Sequence, residues 1–156
     1  MYGVGKQNLP QWFRHIIEPL DVTVQEARSL TGPEKFYNNR GFGDYEVSYS
    51  VPEQAYLELL FSVPHRVSFI EARQIAENLN LLRASVLQTL LEQSRNIKVN
   101  RLALYMGEYH AHEWLEKLDT ESINQGRGKR VIYAGGIFNE KYQITVAPAA
   151  DEKPYV

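Results

Sequence analysis

The chain of 156 residues contains no cysteine, which excludes a disulfide framework, a Cys-ligated zinc site, an iron–sulfur cluster and a cysteine nucleophile. It has no apolar run near the ~20 residues of a membrane span. No apolar stretch of the signal-peptide kind follows Met1-Tyr2-Gly3-Val4-Gly5-Lys6. Charge of one sign is also lacking, with 17 Lys+Arg set against 19 Asp+Glu. The balance is even by region: 5 basic and 8 acidic side chains in residues 1–64, 7 and 6 in 65–118, 5 and 5 in 119–156. Non-specific DNA affinity comes from neutralising many phosphates at once, so the gross footprint of a nucleic-acid binder is missing. There is no Gly-x-Ser-x-Gly elbow, Walker-type phosphate loop or Gly-x-Gly-x-x-Gly fingerprint. These absences point to a soluble, cytoplasmic protein with no membrane partner.

What is present is a globular composition, 44% hydrophobic and 23% charged, long enough to bury a core without staples. Residues 1–49 are rich in aromatics and turn formers (Trp12-Phe13 after Pro10, Val22-Thr23-Val24, Thr31-Gly32-Pro33, Asn38-Asn39-Arg40-Gly41) and predict short strands joined by loops. Period-2 alternation over residues 44–49 puts Tyr45, Val47 and Tyr49 on one strand face.

Ser50-Val51-Pro52-Glu53 then predicts a helix start with a capping box, and Pro64 its end. The buried stripe of this helix is Tyr56, Leu57, Leu59, Leu60 and Phe61. Ser68-Phe69-Ile70-Glu71 opens a second helix buried through Ile70, Ala72, Ile75, Ala76 and Leu79. A third from about Leu82 carries Leu82, Val86, Leu87, Leu90 and Leu91, and a fourth from about Ile97 carries Val99, Leu102, Ala103, Met106 and Tyr109. A short fifth spans about Glu113 to Leu118 with Trp114. Beyond Gly126 the period returns to two, and the runs Val131-Ile132-Tyr133 and Tyr142-Gln143-Ile144-Thr145-Val146 predict a β-hairpin. The expectation is a mixed α/β (α+β) fold. N-terminal short strands lead into a central cluster of four to five helices, and a C-terminal β-hairpin joins the sheet. Residues 1–146 form a single domain and 147–156 a flexible tail.

The densest titratable cluster is Glu108-Tyr109-His110-Ala111-His112-Glu113. His110, His112 and Glu108 are the donor types a small metal-dependent hydrolase uses. The i, i+2 spacing instead favours a polar helix–helix corner whose histidines bond to backbone or carboxylate. No metal is therefore assigned. Gly126-Arg127-Gly128-Lys129-Arg130 puts three cations on a glycine-bearing turn, fit either for solvent or for a macromolecular partner. Residues 69–93 with the terminal hairpin have the outline of a winged helix-turn-helix. However, the exposed positions Arg83, Ser85, Gln88, Thr89, Glu92 and Gln93 offer one cation against one carboxylate, which suits core packing better than a DNA groove.

The ordered series Ser50-Val51-Pro52-Glu53-Gln54-Ala55-Tyr56-Leu57, Val63-Pro64, Ser68-Phe69-Ile70-Glu71-Ala72, Leu87-Gln88-Thr89-Leu90-Leu91-Glu92, Lys98-Val99-Asn100-Arg101-Leu102, Glu108-Tyr109-His110-Ala111-His112-Glu113-Trp114, Gly128-Lys129-Arg130 and Lys141-Tyr142-Gln143-Ile144-Thr145-Val146 resembles the C-terminal domain of AbiEi-type antitoxins. The likeness covers residues 50–146, with an echo at Leu9-Pro10-Gln11-Trp12. It implies the antitoxin and transcriptional regulator of a type IV toxin–antitoxin (abortive infection) system, acting on a nucleotidyltransferase-like toxin or its operon. It implies no enzyme activity, catalytic residue or cofactor. The family's N-terminal winged-helix domain is expected to be absent from this chain, which leaves DNA binding uncertain. Aromatic and arginine anchors dominate interface energetics, so Tyr109, His110, His112, Trp114, Arg127, Lys129 and Arg130 are the candidate partner-binding residues. The alternative is a transcriptional regulator that reads operator DNA through residues 69–93 and the C-terminal hairpin.

Overall fold

The computed structural model describes residues 2–3, 25–26 and 36–149. The motifs at residues 9–13, 22–24 and 31–33 lie outside the described residues. Strands β1 (Tyr2–Gly3) and β2 (Gln25–Glu26) pair in parallel. Strands β3 (Tyr37–Phe42) and β4 (Tyr45–Ser50) form an antiparallel hairpin closed by Gly43 and Asp44, with Gly43 at φ +61. The turn-rich Asn38-Asn39-Arg40-Gly41 is thus strand, not loop, because pairing along the whole length of β4 outweighs the weak β propensity of these residues.

Helices α1 (Pro52–Ser62), α2 (Phe69–Glu77), α3 (Ala84–Gln93), α4 (Ile97–Tyr109) and α5 (Glu113–Glu116) follow. The expected helix start at Pro52 is observed, but its capping box is not. Val51 stands at the cap, the Ser50 hydroxyl donates to the Glu58 carboxylate at 2.8 Å, and Glu53 is drawn to Arg83. The second box forms, with Ser68 Oγ accepting from Glu71 N at 3.1 Å. Helix α4 opens on an unforeseen cap, Asn96 Oδ1 accepting from Val99 N. Helix α2 meets the core through Phe69, Ala72 and Ala76, which leaves Ile70 and Ile75 about 40% exposed. The alanines let the helix approach closely, and that narrow contact turns the two isoleucines outward.

The core lies around α4, which is buried without interruption from Val99 to Gly107 and packs on α1, α2 and α5. Helix α1 supplies Tyr56, Leu57 and Leu60, and α3 supplies Leu87, Leu90 and Leu91. Each such side chain contributes roughly 1.5–3 kcal/mol by leaving water. Helices α2 and α3 both lie against α1 and pack on it more than on each other.

The fold is mixed α/β as expected. The C-terminal sheet has the order β5 (Arg130–Val131), β7 (Ile144–Val146), β6 (Ile137–Asn139). The hairpin partner of β7 is therefore β6, and Val131 joins the other edge in parallel. Gly136 permits this, since a Cβ there would sit 2.0 Å from the Val146 carbonyl oxygen. Among the described residues, no helix is long and apolar enough to cross a membrane.

Gly107 faces the Trp114 indole so closely that a Cβ would lie 2.5 Å from the ring. Gly107→Ala gains about 1 kcal/mol of helix propensity, yet the indole is pinned by its own hydrogen bond to Leu79 O. Overpacking of about 1–3 kcal/mol is expected to win, and thermal denaturation should show a lower Tm for this variant.

Candidate functional site

The turn from α4 to α5 grips the C-terminal end of α2. His110 Nε2 bonds to Arg73 O at 2.9 Å, His112 Nε2 to Ala76 O at 2.8 Å, and Trp114 Nε1 donates to Leu79 O at 2.9 Å. Side chains two apart on the turn thus meet carbonyls three apart on the helix end. Ala111, at φ 51, provides the left-handed step between the histidines. A carbonyl only accepts, so each Nε2 carries its proton and donates. The rings continue inward, His112 stacked on Trp114 at 5.4 Å and Trp114 edge-on to Tyr56 at 6.2 Å.

This is the polar corner that the i, i+2 spacing favoured. The hydrolase triad is not assembled: Glu108 pairs with Lys141 at 2.8 Å, while the histidines serve α2. Among the described residues no three His, Asp or Glu side chains are grouped to hold a metal. Burial lowers the His110 pKa from its ordinary 6.5, and the nearby His112 and Arg73 add to this against the raising effects of the Arg73 carbonyl and Glu77.

The cationic loop is held from beneath by a residue that sequence reasoning missed. Arg101, 2% exposed, donates through Nε to Gln125 O at 2.6 Å and through Nη1 to Gly128 O at 2.6 Å and Gln143 O at 3.2 Å. No carboxylate neutralises it among the described residues. Desolvation lowers its pKa and the charge of Arg130 lowers it further. Asn100 adds a bond to Asn124 O at 2.8 Å. With the Gln125 and Gly128 carbonyls turned inward, and Gly126 and Gly128 at positive φ, the loop projects Arg127, Lys129 and Arg130 into solvent. A lone arginine inside an apolar helical stripe was the available signal.

Between the end of α4 and the β6–β7 hairpin lies a cleft of about 290 Å³, walled by Tyr105, Tyr109, Ile137, Phe138 and Val146 with Glu108 on its rim. Lys129 Nζ stands 4.7 Å over the Phe138 ring and the Arg73 guanidinium 5.1 Å over Tyr109. Burial works to raise the Glu108 pKa, but hydrogen bonds from Lys141 and Tyr142 with the Lys141 charge leave it below the ordinary carboxylate value. The structure places Tyr109 in the wall of the cleft, with His110 beside it at 4.9 Å, and Lys129 against Phe138 on the sheet face shared with Thr145. Arg127 and Arg130 stand on the adjoining loop, and His112 and Trp114 are buried beneath.

The class of the protein follows from comparison with known families: it is a regulator of a toxin–antitoxin system. The chain belongs to the family described as transcriptional regulator, AbiEi antitoxin, type IV toxin–antitoxin system, whose pattern matches residues 1–147. The match begins at residue 1, so the first 49 residues share the family's pattern along with the motifs quoted above. Neither a curated protein nor a solved structure matches the chain.

Two outcomes are expected. Because folding depresses the His110 pKa, stability present above pH 6.5 should be lost as the pH falls through that value towards the lower folded-state pKa. A Tm series from pH 8 to 5 should show this loss, and His110→Gln, which keeps an N–H donor, should flatten it. Arg101→Lys cannot serve three carbonyls with one planar fork, so amide exchange of residues 128–130 should accelerate while that of α1 stays unchanged.

Proposed function

We propose that this chain neutralises a cognate nucleotidyltransferase-like toxin in the cytoplasm, by binding and not by catalysis. The surface that would act is the loop bearing Arg127, Lys129 and Arg130 together with Tyr109 and His110. His112 and Trp114 contribute by holding that surface in shape, since both are buried. The observation that carries the reading is the three-cation loop, fixed by an arginine with no counter-charge among the described residues, in a chain of an antitoxin family. A loop whose carbonyls are already held loses little conformational entropy on docking, and its charge favours an acidic partner surface.

The alternative, operator DNA read through residues 69–93 and the terminal hairpin, has less support. The polar face of α3 is already engaged: Gln88 Nε2 donates to Glu92, Asp119 O and Ser122, and Gln88 Oε1 accepts from Asp119 N. A recognition helix needs such side chains free for base edges.

Co-expression with the cognate toxin should restore growth. The triple variant Arg127→Glu, Lys129→Glu, Arg130→Glu, folded by circular dichroism, should abolish rescue, whereas exposed Glu121→Lys should not. Failure of the soluble, folded wild-type chain to rescue would overturn the reading.

A further inference from the structure

The guanidinium of Arg101 has one edge left over. Its Nε and Nη1 are spent on the carbonyls of Gln125, Gly128 and Gln143. Its Nη2 has no hydrogen-bond partner among the described residues, and it is not sealed from water. We infer that this edge and the Arg130 guanidinium together form a socket for one carboxylate side chain of a protein partner. The inference rests on the toxin-neutralising reading for the identity of that partner, and adds the point at which the partner is anchored.

The two arginines meet at the Gln143 carbonyl, which accepts from Arg130 N at 3.0 Å and from Arg101 Nη1 at 3.2 Å. Gln143 holds φ 53, a left-handed conformation uncommon outside glycine, and backbone of this kind gathers at ligand clamps. Strand pairing puts Arg130 on the sheet face of its partner Ile144, whereas Val131 shares the face of Thr145. Arg130 thus lies on the opposite face from Phe138 and the Lys129 stacked on it. After the larger effect of desolvation, the charge of Arg130 is near enough to lower the Arg101 pKa further.

Neither guanidinium has an ion pair among the described residues, where Glu53, Glu113 and Glu108 are taken by Arg83, Lys117 and Lys141. Like charges held side by side repel, and an anion between them removes that repulsion while neutralising a cation that burial has stripped of water. A carboxylate fits in shape, since it is planar and offers one oxygen to Nη2 and the other to Arg130. Arg101 is already fixed by three carbonyls, so little side-chain entropy is lost when the ligand arrives. Nucleic acid fits less well. Backbone affinity is summed over many phosphates, and this chain has a net charge of −2 and turns Lys129 to the other face of the sheet.

The test has two arms. In the first, nitrogen–proton NMR spectra of the full chain follow the Arg101 Nε–H, bonded to Gln125 O, during titration with a hexaglutamate peptide at constant ionic strength. A saturable shift of this resonance and of the amides of residues 128–130 is expected, and Arg130→Gln, at an exposed position, should abolish it. No shift, or an equal shift in Arg130→Gln, overturns the inference. So does a hexanucleotide that produces the shift at lower concentration than the peptide. In the second arm, affinity for the purified toxin should fall about thirtyfold in Arg130→Gln, as for truncation of a close charge pair. Arg127→Gln should cost only about threefold, as for an exposed cation. Equal losses in the two variants sink the carboxylate socket and leave neutralisation by the loop standing. If the wild-type chain does not bind the toxin, neutralisation by binding fails, and the peptide titration alone decides whether the socket exists.

Discussion

A guanidinium enclosed by protein must find hydrogen-bond acceptors for its donors, and in this molecule those acceptors fix the shape of everything around them. Arg101 sits on α4, the helix buried without interruption from Val99 to Gly107. It reaches out of the core to the carbonyls of Gln125, Gly128 and Gln143. Burying an unpaired charge costs several kcal/mol, so a loop conformation that withdrew these carbonyls would be heavily disfavoured. The loop and the beginning of β7 are therefore set by α4. The same helix gives up its side chain at Gly107 to admit Trp114, and so also sets how α5 lies.

Carbonyl capping at a distance is the recurring device. Lys98 donates to Phe61 O and Val63 O beyond the end of α1, with Phe61 beneath it at 5.5 Å. Burial of this ammonium lowers its pKa. His110, His112 and Trp114 serve the end of α2, and Arg73 serves the chain leaving β7. Helix ends carry unsatisfied carbonyls and a partial negative charge, and those of α1 and α2 are met here by donors from remote parts of the sequence. The bidentate ion pair of buried Glu53 with exposed Arg83 does the reverse at the start of α1 and α3. It joins a buried carboxylate to a guanidinium and a backbone N–H. Burial tends to raise the Glu53 pKa and the Arg83 contacts overcome that tendency.

For a member of an antitoxin family this construction has a functional sense. In the proposed reading the binding surface is irregular backbone, the loop 124–130, and such backbone loses least on binding when it is already ordered. Here buried donors supply that order, beside the loop's own Asn124, whose Oδ1 accepts from Gly126 N. Contacts at the surface are thereby separated from the groups that hold them in place: Arg127, Lys129 and Tyr109 face outward, while Arg101, His112 and Trp114 stay inside.

The spacing of apolar residues by itself determined the helices, because a 3.6-residue period needs only one buried face to be expressed. Ser68 and Pro52 marked starts that local hydrogen bonding and a fixed φ enforce. The order of motifs was enough to point to the antitoxin family. What the sequence could not reveal were pairings across the chain. Ser50-Val51-Pro52-Glu53 reads as a capping box until Glu58 and Arg83 compete for its two side chains, and Val131 reads as the hairpin partner of β7 until Gly136 lets β6 approach. Tyr109, His110, His112 and Trp114 form one cluster in the sequence, yet the fold leaves Tyr109 exposed and His110 half-buried and encloses His112 and Trp114. Arg101 looks like a surface interruption in a helical stripe. Only tertiary structure decided these points, since the partner of a buried polar group is whichever carbonyl or carboxylate the packed core brings within hydrogen-bond reach, and that distance is not written in local sequence.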